Sequence, residues 1–220
     1  SVNMMWMFKR ATGFMDVVAY TGNQTAGATQ AHNLGVAPEM MIVKQRKVGE
    51  ARPWSIYHRG IDASAPEDYR ISFTTGARVD DLGQWNDTAP TDSVFTLGDS
   101  TYVNNNNETY IAYLFATLAG VSKVGSYTGT GADLNVDCGF TAGARFILIK
   151  RSDSTGDWYV YDSARGIVAG NDPYFFLNTT AAQVTNTDYI DPLNAGFTVT
   201  SSAPAGLNAS SGTYIFLAIA

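Results

Sequence analysis

Few side chains in this 220-residue sequence are suited to catalysis. It contains two histidines, His32 and His58, and one cysteine, Cys138. Acid–base and nucleophilic catalysis require such groups to converge on one site. His32 lies in a predicted loop and His58 at the end of a predicted strand, while Cys138 is interpreted as a small hydrophobic residue. We therefore predict no catalytic residue, no enzymatic activity and no cofactor.

Aspartates at predicted loop tips are the candidates for a metal site. Carboxylate oxygens are ligands that calcium prefers, and loop tips can bring several of them together. The spacing matches no EF-hand loop, and aspartates in turns commonly bond to nearby amides instead. We therefore predict no metal site and keep calcium as an alternative, for which the ligands would be Asp153, Asp157 and Asp162, with Asp172 and Asp191.

A pair of carboxylates is a second alternative. Asp188 and Asp191 flank Tyr189, and two carboxylates can serve as acid and nucleophile in glycoside hydrolysis. The pair has no counterpart in the other half of the chain. This absence argues against a glycosidase.

Aromatic residues are the candidates for binding. Trp85 lies among Asp, Gly, Gln and Asn residues and has no counterpart in the second half, so we predict that it is exposed and contacts a sugar or a partner subunit. Tyr102 and Tyr189 are further candidates for the same contacts. Trp54 and Trp158 recur at corresponding places, and we predict that both fill the core.

The elements that must position these residues occur twice in the chain. The first half of segment 109–129 is repeated at 213–220, and the whole segment is repeated at 4–22. Recurrence at a nearly fixed spacing indicates a duplicated unit. The matching residues are separated by 102 to 107 positions and are Tyr20 with Tyr127, Lys44 with Lys150, Trp54 with Trp158, Phe95 with Phe197, and Tyr110 with Tyr214.

This repeat predicts an all-β protein of two tandem β-sandwich domains, jelly-roll or lectin-like, related by internal duplication. Short apolar or alternating runs between turn residues predict about seven strands in each copy, at residues 13–118 and 119–220. Residues 1–12 match the last strand of a preceding repeat. We predict that Met4–Arg10 pairs within the first domain, because strands close in sequence are usually adjacent.

Composition limits the partners of the protein. The formal net charge is −6 at pH 7, whereas a nucleic-acid-binding protein needs a basic face to neutralise phosphates. An acidic chain is also poorly suited to anionic membranes, and no apolar run approaches the roughly 18 residues of a membrane span. We therefore predict no nucleic acid and no membrane insertion.

Several phrases of the second copy resemble a known family. They are Lys150-Arg-Ser-Asp-Ser-Thr-Gly-Asp-Trp158-Tyr-Val-Tyr-Asp162, Ala169-Gly-Asn-Asp-Pro-Tyr174, Gly196-Phe-Thr-Val199 and Tyr214-Ile-Phe-Leu-Ala-Ile-Ala220. They are similar to a tandem module of unassigned biochemistry found in predicted virion proteins of marine tailed bacteriophages, including cyanophages. The first copy departs from this pattern at residues 53–58.

The resemblance implies a structural role in the virion and no site residues. We expect a non-catalytic assembly module, located in a tail fibre or on the capsid as decoration. Its expected partners are copies of itself and other virion proteins. The alternative is a carbohydrate-binding module of a tail fibre, with a host-surface glycan as the partner.

Overall fold

The computed structural model describes residues 5–47, 49 and 52–220, and its regular structure is mostly strand, which confirms the all-β class. The strands are β1 (Met15–Thr21), β2 (Ala28–Ala31), β3 (Met40–Gln45), β4 (Ser55–His58), β5 (Tyr69–Arg70), β6 (Val79–Asp80), β7 (Val94–Leu97), β8 (Thr109–Phe115), β9 (Ser122–Thr128), β10 (Leu134–Asp137), β11 (Phe146–Arg151), β12 (Trp158–Asp162), β13 (Tyr174–Phe176), β14 (Ile190–Leu193), β15 (Gly196–Val199) and β16 (Thr213–Ile219). The helical segments are α1 (Leu82–Trp85), α2 (Thr101–Asn104), α3 (Ala205–Asn208) and a 3₁₀ helix, Pro66–Asp68. Within the described ranges, no helix has the length and apolar character needed to cross a membrane.

Two antiparallel sheets form the centre of the molecule. The strand order is β1-β8-β3-β4 in the first half (residues 5–118) and β9-β16-β11-β12-β13 in the second half (residues 119–220). The inner strands β3 and β11 are nearly continuous apolar runs. Such runs are typical of strands that are covered on both faces.

Each large sheet packs on a smaller layer from its own half. β2 pairs with β7 in the first half, and β10, β15 and β14 form a three-stranded sheet in the second half. These layers enclose one apolar core in each half, the first around Phe95 and Leu114 and the second around Phe197 and Tyr161. The strands β5 and β6 form a separate ribbon next to β4.

A third apolar core, the central core, lies between the two large sheets. It contains Phe115 from the first half and Leu148 and Leu217 from the second half. Trp158 belongs to this core, is 1% exposed, and donates from Nε1 to the Ser72 carbonyl at 2.8 Å. The predicted burial of Trp158 is therefore confirmed, although the indole fills the seam between the halves.

Trp54 is less buried than predicted. Its side chain is half-buried, with its ring centroid 5.7 Å from that of Phe73 and Lys44 Nζ 6.0 Å from the ring. The difference arises because Trp158 starts strand β12 inside the seam, whereas Trp54 precedes the short strand β4 at its border.

The same pair of tyrosines closes the end of each half. Tyr20 stacks on Tyr110 with ring centroids 5.1 Å apart, and Tyr127 stacks on Tyr214 with centroids 4.8 Å apart, with an interplanar angle of 12° in both pairs. Tyr20 and Tyr127 donate to the carbonyls of the corresponding residues Val103 and Leu207 at 2.7 and 2.8 Å. Each hydroxyl thus satisfies a carbonyl group of a one-turn helix, in α2 or in α3.

A buried asparagine fixes the same two loops. Asn104 donates from Nδ2 to the Gly98 carbonyl at 2.8 Å, and Asn208 donates to the Thr200 carbonyl at 2.9 Å. Each amide oxygen accepts from the loop that follows the first strand of its half, from Asn23 N at 2.9 Å and from Thr130 N at 3.0 Å. Sequence reasoning missed both asparagines because loop asparagines are usually exposed turn residues.

The N-terminal segment, Met5–Arg10, does not pair within the first half, so that prediction is wrong for its described part; Met4 lies outside the described residues. The segment forms no strand and lies against both halves. Trp6 donates from Nε1 to Asp162 Oδ2 at 2.9 Å, and the Phe8 ring meets the rings of Phe115 and Phe146 edge-on at 6.2 and 5.4 Å. Burial of Trp6 and Phe8 at the open end of the central core stabilises this position.

Candidate functional site

Trp85 is buried, so the prediction of an exposed binding residue is wrong. The indole is 1% exposed, its Nε1 donates to the Tyr69 carbonyl at 3.0 Å, and its ring lies edge-on to that of Tyr57 at 6.1 Å. The polar neighbours that suggested exposure form the one-turn helix α1, in which the Asp81 side chain accepts from Gly83 N at 3.2 Å. A signal in the sequence was Asp81 itself, a preferred N-cap residue.

The other two predicted contact residues are half-buried and lie apart. Tyr102 lies beneath two guanidinium groups, with Arg52 5.9 Å and Arg70 5.5 Å from its ring centroid. Tyr189 packs against the core of the second half, with its ring 5.9 Å from that of Tyr174. The three predicted residues therefore do not form one site.

The residues suited to acid–base or nucleophilic chemistry are engaged in the fold. His32 accepts from Leu34 N at Nδ1 (3.3 Å), and its Nε2 lies 3.2 Å from the Thr91 carbonyl. Burial raises the pKa of the Cys138 thiol to about 12, which keeps it in the unreactive neutral form.

His58 lies in the seam between the halves. Its Nδ1 accepts from Gly60 N at 3.0 Å, and its Nε2 donates to the Phe216 carbonyl of the second half at 3.1 Å. Since the ring is fully buried, its pKa is lowered to about 4. The imidazole is thus neutral at physiological pH and connects the two halves.

The structure separates the aspartates considered for the alternative calcium site. Asp157 precedes β12 and Asp162 ends it, so they lie at opposite ends of one strand. Asp153 accepts from Arg151 Nε at 2.8 Å, Asp157 accepts from Asn178 at 2.8 Å, and Asp162 accepts from Trp6. In the part of the chain that the structure describes, no three acidic, histidine or cysteine residues are placed to share a metal ion.

Asp188 and Asp191, the pair considered for glycoside hydrolysis, flank backbone amides that a third aspartate, Asp172, holds in place. Asp172 is buried and accepts from the backbone amides of Tyr189 at 2.9 Å and Ile190 at 3.0 Å. Burial raises the pKa of Asp172 to about 7. Asp188 accepts from Gly170 N at 3.2 Å, and burial, followed by the charge of Asp188, raises the pKa of Asp191. These bonds position the start of β14.

A cleft of about 1060 Å³ lies between the two halves. One wall is the loop after β4, and the other wall is formed by β9 and β10 of the second half. Gly125 lies in this cleft above the Phe216 ring, where an added Cβ would come within 2.5 Å of the ring. Glycine is therefore required for the close packing of strand and ring.

The charges around the cleft are partly paired. Arg59 binds Glu39 at 2.9 Å and Arg78 binds Asp62 at 3.1 Å. Among the described residues, Lys123 has no ion pair, and it lines the same cleft as the exposed Asp137 and Asn135. The cleft thus offers charged and amide groups to a bound molecule.

Both strands of the cleft wall are edge strands. β9 pairs on one side with β16 only, and β10 pairs with β15 only. At one end of β9 the Thr117 hydroxyl occupies the free edge, where it accepts from Val124 N at 3.1 Å. Beyond Val124, the outer edge of β9 from Ser126 to Thr128 has no backbone hydrogen-bond partner among the described residues and can pair with another strand.

One family model covers nearly the whole chain. The model of a domain of unknown function, DUF7483, matches residues 5–220, so the chain belongs to that family. The match spans both halves. No curated protein and no solved structure matches the chain significantly.

Proposed function

We propose that this DUF7483 family member is a structural protein of a bacteriophage virion. In this proposal it acts as a non-catalytic assembly, decoration or tail-fibre module, through contacts with copies of itself and with other virion proteins. The support from sequence is the resemblance of its second copy to modules of marine phage virion proteins.

We also propose that the two halves are jelly-roll or lectin-like sandwiches that arose by duplication. The asparagine and tyrosine bonds at the ends of the halves recur at matching positions. The turn that leads into the first strand also recurs, with the bridge from Ala11 to Met15 in one half and from Leu118 to Ser122 in the other. Recurrent hydrogen bonds of buried groups are a stronger sign of common ancestry than similar composition.

The observation that carries the functional proposal is the pair of edge strands along the cleft. The unpaired edges of β9 and β10 border a space large enough for an extended segment. An exposed edge binds another strand through main-chain hydrogen bonds, while the flanking side chains select it. Such a surface is suited to protein–protein contact.

The test is to locate the chain in intact particles. Antibodies raised against the recombinant protein should label particles of a phage that encodes it, at one site in negative-stain electron microscopy. Particles of a phage that lacks the gene are the control. Labelling of cell debris alone, with no peptide of the chain in the mass spectrum of purified particles, would contradict a virion role.

Carbohydrate recognition is the second candidate, because the cleft combines charged and amide side chains. Lys123, Asn135 and Asp137 are groups that can hydrogen-bond to sugar hydroxyls. The predicted aromatic platforms do not support this candidate, since Trp85 is buried. A glycan array distinguishes the two functions: binding that Asp137→Asn abolishes favours a receptor-binding module, and the absence of binding favours assembly alone.

A further inference from the structure

The N-terminal segment exposes apolar side chains to solvent along an irregular stretch of backbone. Trp6 and Phe8 point towards the body, whereas the alternate residues Met5 and Met7 are 75% and 83% exposed. No backbone group of the segment is hydrogen-bonded to another backbone group of the described chain. Lys9 is also exposed and has no ion pair there. The segment therefore combines free amides, two apolar side chains and a positive charge.

An acidic surface on the first half has the complementary character. It consists of Asp68, Val79, Asp80, Leu82 and Asp87. Val79 is 46% exposed and Leu82 is 57% exposed, which are high values for large apolar residues of this chain. The three carboxylates have no ion pair or side-chain hydrogen bond among the described residues.

The carboxylates of the acidic surface repel one another. The pKa of Asp68 is raised, first by desolvation and then by the charges of Asp87 and Asp80. The backbone holds them together, because Asp81 N donates to the Asp68 carbonyl at 2.9 Å and Tyr69 pairs with Asp80. A cationic group brought to this surface would relieve the repulsion.

The two surfaces lie at opposite ends of the stacked sheets. Phe8 of the N-terminal segment contacts Phe146, the first residue of β11. Arg78, next to the acidic surface, donates from its backbone amide to the carbonyl of Ser152, which lies just beyond the last residue of β11. Six residues of strand span about 17 Å. A chain therefore cannot cover its own acidic surface with its own N-terminal segment, and a contact between them must join two molecules.

We infer that the N-terminal segment of one copy docks on the acidic surface of the next copy. Met5 and Met7 contact Val79 and Leu82 there, and Lys9 approaches the carboxylates of Asp68, Asp80 and Asp87. The contact is heterologous, so repetition produces a head-to-tail row rather than a closed dimer. This inference rests on the proposed function and names the partner as a second copy of the chain.

Charge determines the choice of partner. Each chain has a formal net charge of −6, so two copies repel each other unless a positive group meets a negative one. Lys9, beside the exposed Met5 and Met7, supplies the positive group at one end of the molecule. The acidic surface supplies the negative groups at the other end. Because the charges are exposed, salt should weaken the association.

Sedimentation velocity of the complete chain tests the inference. The wild type should form concentration-dependent oligomers at low salt that dissociate at about 0.5 M salt. Lys9→Glu and Asp80→Lys should each raise the dissociation constant about tenfold, since each replaces attraction by repulsion across the contact. The double variant K9E/D80K restores opposite charges and should regain self-association. The matched control is Arg46→Glu, which reverses an exposed positive charge that belongs to neither surface and should behave as the wild type.

Each other outcome overturns the inference. A wild type that stays monomeric at every concentration excludes the contact. Oligomers that neither reversal weakens must use other surfaces, and single losses that the double variant does not repair show that Lys9 and Asp80 do not face each other. Antibody labelling of particles is independent of these results, so a failure of the contact and a failure of the virion role can be told apart.

Discussion

Acid should weaken the seam between the halves through His58. The ring is fully buried, accepts from Gly60 N and donates to the Phe216 carbonyl across the seam. Burial lowers its pKa to about 4, against smaller raising effects of the Phe216 carbonyl and of Glu39. A proton on Nδ1 would remove the acceptor for Gly60 and place a charge in the seam.

The size of the effect follows from the difference between the folded and unfolded pKa. Unfolded His58 binds a proton below about pH 6.5, whereas folded His58 does so only below about pH 4. The unfolded state therefore binds more protons in this window, and the free energy of unfolding decreases as the pH falls through it. One pKa unit corresponds to about 1.4 kcal/mol, so the loss through His58 reaches about 3 kcal/mol at pH 4.

The assay must isolate His58, because Asp172 acts in the opposite direction when it takes up a proton. Urea unfolding of the wild type and of His58→Gln, which keeps a donor for Phe216 but cannot titrate, should be compared between about pH 7.5 and pH 4. The difference in unfolding free energy should change by about 3 kcal/mol over this range. His32→Gln, which removes the other histidine, should keep the pH dependence of the unfolding free energy that is due to His58. A difference that stays constant with pH would refute the role of the buried imidazole.

Three further predictions concern stability, each measured by urea or thermal unfolding. Trp158→Ala should lower the free energy of unfolding by about 3–5 kcal/mol and Trp54→Ala by clearly less; equal losses would contradict the central position of Trp158. Asn104→Ala and Asn208→Ala should each cost about 2–4 kcal/mol, because each leaves buried amide and carbonyl groups unpaired, and a loss in one half only would show that the two loops are not equivalent. Asp172 has a folded pKa of about 7, above its ordinary value, so its stabilising contribution is present in acid and is lost as the pH rises through about 7; Asp172→Asn should remove this decrease, and an unchanged pH profile would contradict it.

The strands were predictable because their signals are local. The repeated segments 109–129 and 213–220 contain strands β8, β9 and β16, and the phrase at residues 196–199 coincides with β15. Tyr20 and Tyr127 marked equivalent strands, and the structure places each in the same stacked pair. Alternation of apolar residues and glycine-marked turns fixes where the chain extends and where it reverses.

The seam was not predictable from the same signals. Alternation shows that a face is buried but not what covers it, so Trp158 was assigned to its own sandwich although it packs between the sheets. The exposure of Trp85 was wrongly predicted because its polar neighbours act as caps and amide donors within the fold. The position of Trp6 depends on Asp162, a contact between residues 156 positions apart that no local pattern encodes.

The central core couples the stability of each half to that of the other. Each large sheet presents to its neighbour the face that its own small layer leaves uncovered, and both halves use the equivalent face. A half expressed alone would expose this apolar surface and could bury it only by meeting a separate molecule of the other half. The short connection from β8 to β9 replaces that bimolecular encounter by a tethered one at high effective concentration. If the two halves arose by duplication, as proposed above, fusion of two genes for a homodimeric ancestor would have freed formation of the seam from dependence on protein concentration. The two halves could then diverge at their outer surfaces while the seam stayed fixed.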